Sequence, residues 1–372
     1  MRVALVHDWL TGMRGGERCL EVFCELFPDA DLFTLLHVPG AVTAVIERRR
    51  VITSFIQRLP GAALHYRRYL PLFPAAIRAF DLRGYDLVLS SSHAVAKSVR
   101  VPPAALHVCY CFTPMRYVWD LYDEYFGRSA GAATRLLMPP VAAALRRWDR
   151  RTAEGVQHFV AISRFVAARI RRAYGRDADV LYPPVDVARF RIEDAPEDFY
   201  LVVSALTPYK RIDLAVEACR RLGRRLVVVG TGPEAARLRA LAGSTVEFTG
   251  WRSDPGVADL YARCRALLFP ALEDFGITPL EAMASGRPVI AFGQGGALET
   301  VVPSGGTEPP TGLFFERQTV HDLVGAIQRF ERAPGAFEPK ALRRHAEAFD
   351  RSLFRERVQG YLRRRLDEHA RC

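Results

Sequence analysis

No stretch of this 372-residue chain approaches the ~20 consecutive apolar residues that a membrane-spanning helix requires. Leu136–Leu145 is short and interrupted by Pro139 and Pro140, and Val3-Ala4-Leu5-Val6 is stopped by His7 and Asp8, too early for a signal-peptide core. Paired cysteines are also lacking. The seven (Cys19, Cys24, Cys109, Cys111, Cys219, Cys264 and Cys372) are odd in number and contain no C-x2-C pair. That excludes a disulfide framework and a zinc site, and reads as reduced, mostly buried thiols. No nucleic-acid-binding motif accompanies the basic charge, so nucleic acid is not an expected partner. Low-complexity tracts are absent as well. What remains is 49% apolar, 25% charged and 10% aromatic, a globular composition long enough for two domains at roughly 100–200 residues each. These absences together predict a cytoplasmic protein, or one held at the inner face of the cell membrane.

The excess charge is unevenly placed. Residues 1–190 hold 26 Lys/Arg against 17 Asp/Glu, whereas residues 191–372 hold 26 against 24. The first half owns Arg48-Arg49-Arg50, the segment His65–Phe73 and Arg146-Arg147-Trp148-Asp149-Arg150-Arg151. Basic residues interleaved with aromatic and aliphatic ones suit contact with an anionic membrane surface. An ordinary solvated surface of an Arg-rich protein reads the same way.

Periodicity predicts strand Arg2–His7, a loop to Gly16 and a helix from about Glu17 to Leu26. Further strands are expected near Asp31–Leu36, Tyr85–Ser90, His107–Phe112 and His158–Ser163. From Asp198 strands and helices alternate regularly. Strands are expected at Phe199–Ala205, Arg225–Gly230, Thr245–Thr249, Ala266–Pro270 and Pro288–Phe292, the last closing the series. Runs such as Leu226-Val227-Val228-Val229 are apolar at consecutive positions, as in parallel strands covered on both faces. Two doubly wound α/β domains follow, spanning 1–185 and 186–340, with the boundary near Tyr182-Pro183-Pro184-Val185. A helical segment, 341–372, is expected to cap the second domain or to cross back to the first.

Ligands of open α/β sheets bind at the carboxyl ends of strands. After the strand ending at Pro270 stand two carboxylates, Glu273 on a loop and Glu281 in the first turn of a helix. Thr278 as N-cap, Pro279 at N1 and Glu281 at N3 make a capping box. Glu281 therefore either caps its own helix, touches a ligand, or does both through different oxygens.

The stretch from Glu273 through Phe275-Gly276-Ile277-Thr278 to Glu281 and Pro288 resembles the donor-site motif of family-4 retaining glycosyltransferases of the GT-B fold. Gly293–Val301, the segment Thr207-Pro208-Tyr209-Lys210-Arg211 and the loop ending Arg14-Gly15-Gly16-Glu17 are similar to other parts of these enzymes. Cys109–Asp120, which contains Arg116, resembles the branch that includes mannosyltransferases of bacterial surface polysaccharides. The resemblance implies two Rossmann-like domains facing a central cleft, the first on the acceptor side and the second holding a sugar nucleotide. It implies that Lys210 meets the diphosphate, Glu281 the ribose hydroxyls and Glu273 the transferred sugar. Gly15 and Gly16 would let backbone approach the donor, and Arg211, Phe275, Gly276, Ile277 and Thr278 would complete its site. His93 and Arg116 would stand on the first-domain side. The resemblance further implies a nucleotide-diphosphate sugar as co-substrate, GDP-mannose first and UDP-sugars next, with no cofactor and no required metal, and a glycan or lipid-linked acceptor.

Two departures accompany the resemblance. Ser204-Ala205-Leu206 stands where the family carries Gly-Arg-Leu, leaving Arg211 as a substitute cation. Phe112 stands where a histidine is expected, with His93 and His107 as stand-ins. Two other readings remain at this level. Gly230-Thr231-Gly232-Pro233-Glu234-Ala235, with Glu247 near the end of the next strand, suits an NAD-dependent oxidoreductase. A nucleotide-sugar binder without catalysis would suit Ala205 and Phe112.

Overall fold

The computed structural model describes residues 1–127 and 131–371. The chain divides into two units, one formed by Met1–Pro183 together with Phe354 to the C-terminus, the other by Pro184–Leu353.

The first unit is built on a seven-stranded parallel sheet of β1 (Val3–His7), β2 (Asp31–Thr34), β3 (Arg50–Thr53), β4 (Leu87–Ser92), β5 (Leu106–Cys111), β6 (His158–Ala161) and β7 (Ala178–Val180). The order across the sheet is β3-β2-β1-β4-β5-β6-β7. Every residue of β1, β4 and β5 is buried, because helices cover both faces of a parallel sheet. The second unit has six parallel strands, β8 (Tyr200–Val203), β9 (Leu226–Val229), β10 (Val246–Gly250), β11 (Ala266–Phe269), β12 (Val289–Phe292) and β13 (Gly312–Phe315), ordered β10-β9-β8-β11-β12-β13. In each sheet the order reverses beside the first strand, at β1/β4 and at β8/β11. Connections on either side of such a point leave on opposite faces, opening a crevice at the carboxyl ends of those strands.

Three strands were not expected. β3 and β7 are edge strands whose residues are exposed or half-buried, so neither shows an apolar run. β13 extends the second sheet beyond Phe292, where the series was expected to close. It begins at Gly312, where a Cβ would lie 2.2 Å from the Val289 carbonyl oxygen, so only glycine lets the edge strand approach.

The C-terminal stretch is two helices rather than one segment. Pro339–Glu347 belongs to the second unit, while Arg351–His369 enters the first from Phe354 onward. There Phe354 lies against Phe23 and Tyr110, ring centroids 6.0 and 5.7 Å apart, and Tyr361 donates to Asp179 at 2.8 Å. Cys19, Cys24, Cys109, Cys111, Cys219 and Cys264 are free and buried, and Cys372 lies outside the described residues. Among the described residues, no helix is long and apolar enough to cross a membrane.

Candidate functional site

In the second unit, Lys210 follows β8 and Glu273 follows β11, the two strands at the switch point. Pro208–Lys210 form a short 3-10 turn that ends at Arg211, whose φ of 52° turns the chain into helix Ile212–Leu222. Lys210 Nζ is thereby set against the Glu273 carboxylate as a partly buried ion pair, and lies 5.2 Å from the Tyr209 ring centre. The Glu273 loop is fixed from the other side by Gly296, whose N–H donates to the Glu273 carbonyl at 2.8 Å. A Cβ on Gly296 would sit 2.2 Å from Phe275 Cα, so the Gly295-Gly296 pair exists for close packing of two loops.

The expected capping box is absent. The helix runs Ile277–Ala284 with Gly276 as its N-cap, and no side chain caps it. Gly276 adopts φ 98°, a turn that starts the helix one residue before Thr278 and places Thr278 and Pro279 inside the first turn. Glu281 instead accepts a hydrogen bond from the Tyr261 hydroxyl, 3.0 Å from its Oε2. Burial, reinforced by the Glu281 charge, pushes the Tyr261 phenol well above its ordinary range, so it remains a donor. One carboxylate oxygen of Glu281 is thus held by helix Asp254–Arg263. Gly276, Ile277 and Thr278 are partly exposed at the helix start, whereas the Phe275 ring is buried 5.9 Å from that of Phe349. Any ligand contact by Phe275 is therefore through its main chain.

In the first unit, Gly15 and Gly16 are the first two residues of helix Gly15–Leu26, not the end of a loop. The Glu17 carboxylate accepts from the Arg14 N–H at 3.0 Å and fixes that start. A Cβ on Gly16 would meet the Phe112 ring at 3.3 Å and His7 Cε1 at 3.7 Å. His93 stands at the end of β4, its Nδ1 3.2 Å from Asp8 Oδ2 and its ring 4.4 Å from Trp9 in a T-shaped contact. Fully buried Asp8 accepts four backbone N–H groups. Those of His93 and Ala94 reach Oδ2 at 2.7 and 2.9 Å, and those of Val95 and Ala96 reach Oδ1 at 2.6 and 2.8 Å. Burial lowers the His93 imidazole to about 4 against the pull of Asp8, and Arg116 adds a smaller push in the same direction. Neutral His93 is the form that persists at pH 7.

His107 is not a stand-in for a site histidine. It lies near the start of β5, at the amino end of the sheet, 1% exposed, with Nε2 2.9 Å from Ser90 Oγ. Arg211, the substitute cation expected for Ala205, is partly exposed, and its guanidinium makes two 3.2 Å contacts with Asp213. The Gly230-x-Gly232 motif has a packing explanation. Cβ atoms there would fall 1.9 Å from the Ser204 oxygen and 2.3 Å from the Leu206 oxygen. Glu247 stands near the start of β10, not its end, and pairs with Arg225 at 3.7 Å. Two Asp-x-Asp triplets occur, ending at Asp31 and Asp179. Asp31 opens β2 beside Arg50, and Asp179 lies in β7 bonded to Tyr361 and Arg365, so neither stands at the β8/β11 switch point.

Sequence reasoning missed Asp8 and Tyr261. Asp8 directly follows the first strand, so the carboxyl-end rule was a signal that could have found it. Tyr261 is 20 residues from Glu281 and carries no local signal.

Residues 188–349 match the family described as "Glycosyl transferases group 1". A GDP-mannose-dependent α-(1-6)-phosphatidylinositol monomannoside mannosyltransferase of Mycobacterium tuberculosis is 31% identical over 222 residues, which is 51% of this chain and 56% of the relative. The O-antigen chain mannosyltransferase C of Escherichia coli is 30% identical over 181 residues, 46% of this chain and 47% of that one. The chain thus spans about half the length of these curated relatives. Solved structures match almost throughout. Sucrose-phosphate synthase from Thermosynechococcus elongatus superposes with a TM-score of 0.72 at 20% identity, covering 99% of this chain and 100% of that one. Anabaena HepE, solved with UDP, superposes with a TM-score of 0.70 at 16% identity, covering 97% of this chain and 99% of that one. Two parallel-sheet α/β units of this pattern define the GT-B fold.

Proposed function

We propose that the protein is a retaining glycosyltransferase that moves a hexose, mannose from GDP-mannose as first choice, onto a glycan or lipid-linked acceptor in surface polysaccharide synthesis. The observation that carries this reading is the Lys210–Glu273 pair at the β8/β11 switch point, beside the start of helix Ile277–Ala284. A diphosphate would exchange places with Glu273 against the Lys210 ammonium and take the unpaired N–H groups of the helix start. Glu273, released from that pair, would accept hydroxyls of the transferred sugar. Glu281, steadied by Tyr261, would accept those of the ribose.

In the transfer, the sugar C1–O bond to the diphosphate breaks and its electron pair leaves with the phosphate. The acceptor oxygen bonds to C1 on the same face, and its proton passes to the departing phosphate oxygen. Lys210 and the helix amides balance the charge that develops there, without a required metal. Mannosyltransferases among the relatives favour mannose, and one of them is GDP-mannose-dependent. The UDP bound by HepE keeps UDP-sugars in the test. The basic first unit suits an acceptor met at the inner face of the membrane.

Full-length protein incubated with labelled GDP-mannose or UDP-glucose and bacterial lipid extract tests the proposal. Transfer with retained anomeric configuration supports it. Tight binding of both nucleotides without turnover would identify a non-catalytic binder, and an inverted product would overturn the retaining assignment.

A further inference from the structure

One buried ion pair of the first unit has no part in the transfer described above. Lys97, 2% exposed, lies in the short 3-10 turn Ala96–Ser98 after β4, directly following the four amides gathered by Asp8. Its Nζ meets Asp149 Oδ1 at 2.8 Å, donates to the Asp149 carbonyl at 2.9 Å and lies 4.6 Å from the Tyr174 ring centre. Asp149 is fully buried on helix Ala132–Ala153. Its other oxygen, Oδ2, accepts from the Trp119 indole Nε1 at 2.8 Å and from the Tyr174 hydroxyl at 2.9 Å.

Stability alone does not account for this arrangement. Taking two charges out of water costs about what their attraction returns, and apolar residues of the same volume often hold a core as well. What the pair adds is direction. With Oδ1 held by Lys97, Oδ2 is aimed at Trp119, which belongs to the loop leaving the carboxyl end of β5. In that loop Met115 and Val118 are fully buried, while Arg116 stays partly exposed, and its charge is felt at His93. The Val118 carbonyl accepts from Arg146, and Asp120 pairs with Arg172, a side chain 69% exposed, where ion pairs contribute little. Trp119 is the tie that reaches inside. A guanidinium fixed in this way presents several donors to phosphate or hydroxyl oxygens.

We propose that Asp149, oriented by Lys97, is a positioning residue for the acceptor: through the Trp119 hydrogen bond it holds the loop after β5 so that Arg116 meets the acceptor's oxygen atoms. This role rests on the reading of the first unit as the acceptor side of a glycosyltransferase.

Trp119→Phe and Tyr174→Phe test it as a pair. Each removes one hydrogen bond to the same Asp149 oxygen, the first from the loop and the second from helix Arg164–Tyr174. Thermal melting should fall by similar amounts in both. The full chain is assayed with whichever of labelled GDP-mannose and UDP-glucose it turns over, against graded amounts of bacterial lipid extract. Trp119→Phe should raise the apparent KM for the extract about tenfold, within the coupling range of residues in one hydrogen-bond network, and leave the KM for the sugar nucleotide unchanged. Tyr174→Phe should leave both unchanged. Arg116→Gln should raise the extract KM at least as much, and adding Trp119→Phe to it should change little further, as when one residue acts through the other. Hydrogen exchange of amides 113–121 should quicken in Trp119→Phe and not in Tyr174→Phe. Equal kinetics in the two aromatic variants, additive losses in the Arg116 double variant, or equal exchange in that loop would overturn the positioning role and leave the proposed function standing. A wild-type chain that transfers nothing would overturn the proposed function, and the acceptor role with it.

Discussion

The two units share a topology and differ in what their switch points do with charge. At β1/β4 the carboxylate of Asp8 is saturated by four backbone amides of its own unit. At β8/β11 Glu273 and Glu281 are held by side chains, Lys210 and Tyr261, which a ligand can displace or share. A carboxylate bound to the backbone builds a loop, whereas one bound to a side chain stays available for exchange. The same crevice has become a scaffold in one unit and a candidate binding site in the other.

Breaking each switch point tests this contrast. Asp8→Ala leaves four buried amides without an acceptor, at about 1–3 kcal/mol each, so it should cost more than ~4 kcal/mol and yield little folded protein. Denaturant melts of purified variants check it; a loss under ~1 kcal/mol would remove Asp8 from its scaffold role. Lys210→Ala should leave folding nearly unchanged and reduce turnover by ~10²–10³, about 3–4 kcal/mol of transition-state stabilisation. Steady-state kinetics on the preferred sugar nucleotide measures that.

Acid should act on the first unit. His93 and His107 both titrate near 4 in the folded chain because burial disfavours their charged forms, against 6.5 unperturbed. The unfolded chain therefore takes up protons first as pH falls. Stability is full above about 6.5, declines toward 4, and is unaffected by these two groups below that. The loss should reach about 3.4 kcal/mol per histidine, and His107→Gln should flatten the profile of melting midpoint against pH between 6.5 and 4.

Glu281→Ala should weaken nucleotide affinity ~10- to 30-fold, about 1.4–2 kcal/mol, by calorimetry. Its melting midpoint should stay close to wild type, since Glu281 does not cap the helix.

The glycines give the smallest contrast. Gly296→Ala drives a Cβ into backbone and should cost ~2 kcal/mol or more. Gly16→Ala meets two side-chain rings, Phe112 tightly and His7 at ordinary contact distance, and should cost less than ~1 kcal/mol, less again with Phe112→Leu. Melts of the three variants rank them.

Legibility in the sequence followed the range of the interactions. Glu273 and Glu281 were visible because nine positions of chain carry the whole pattern, and β8, β9, β11 and β12 because their strands are continuously apolar. The capping box failed because Thr278-Pro279 imitates a helix start, while the turn depends on a positive φ at Gly276 that no residue pattern distinguishes from an ordinary glycine. The packing of Gly230 and Gly232 against Ser204 and Leu206 likewise imitates a dinucleotide fingerprint. The Asp8–His93 contact spans 85 positions and Tyr261–Glu281 joins two separate helices, so neither leaves a local trace. Edge strands β3 and β7 were hidden by their polarity.

The central claim is that the β8/β11 switch point grips a diphosphate. Crystals of the full chain soaked with the sugar nucleotide that gives turnover test it most directly. The account predicts phosphate oxygens within hydrogen-bonding distance of Lys210 Nζ and the Ile277–Ala284 helix start, with the ribose at Glu281. A nucleotide bound with Lys210 still paired to Glu273 and no phosphate beside it would contradict the account.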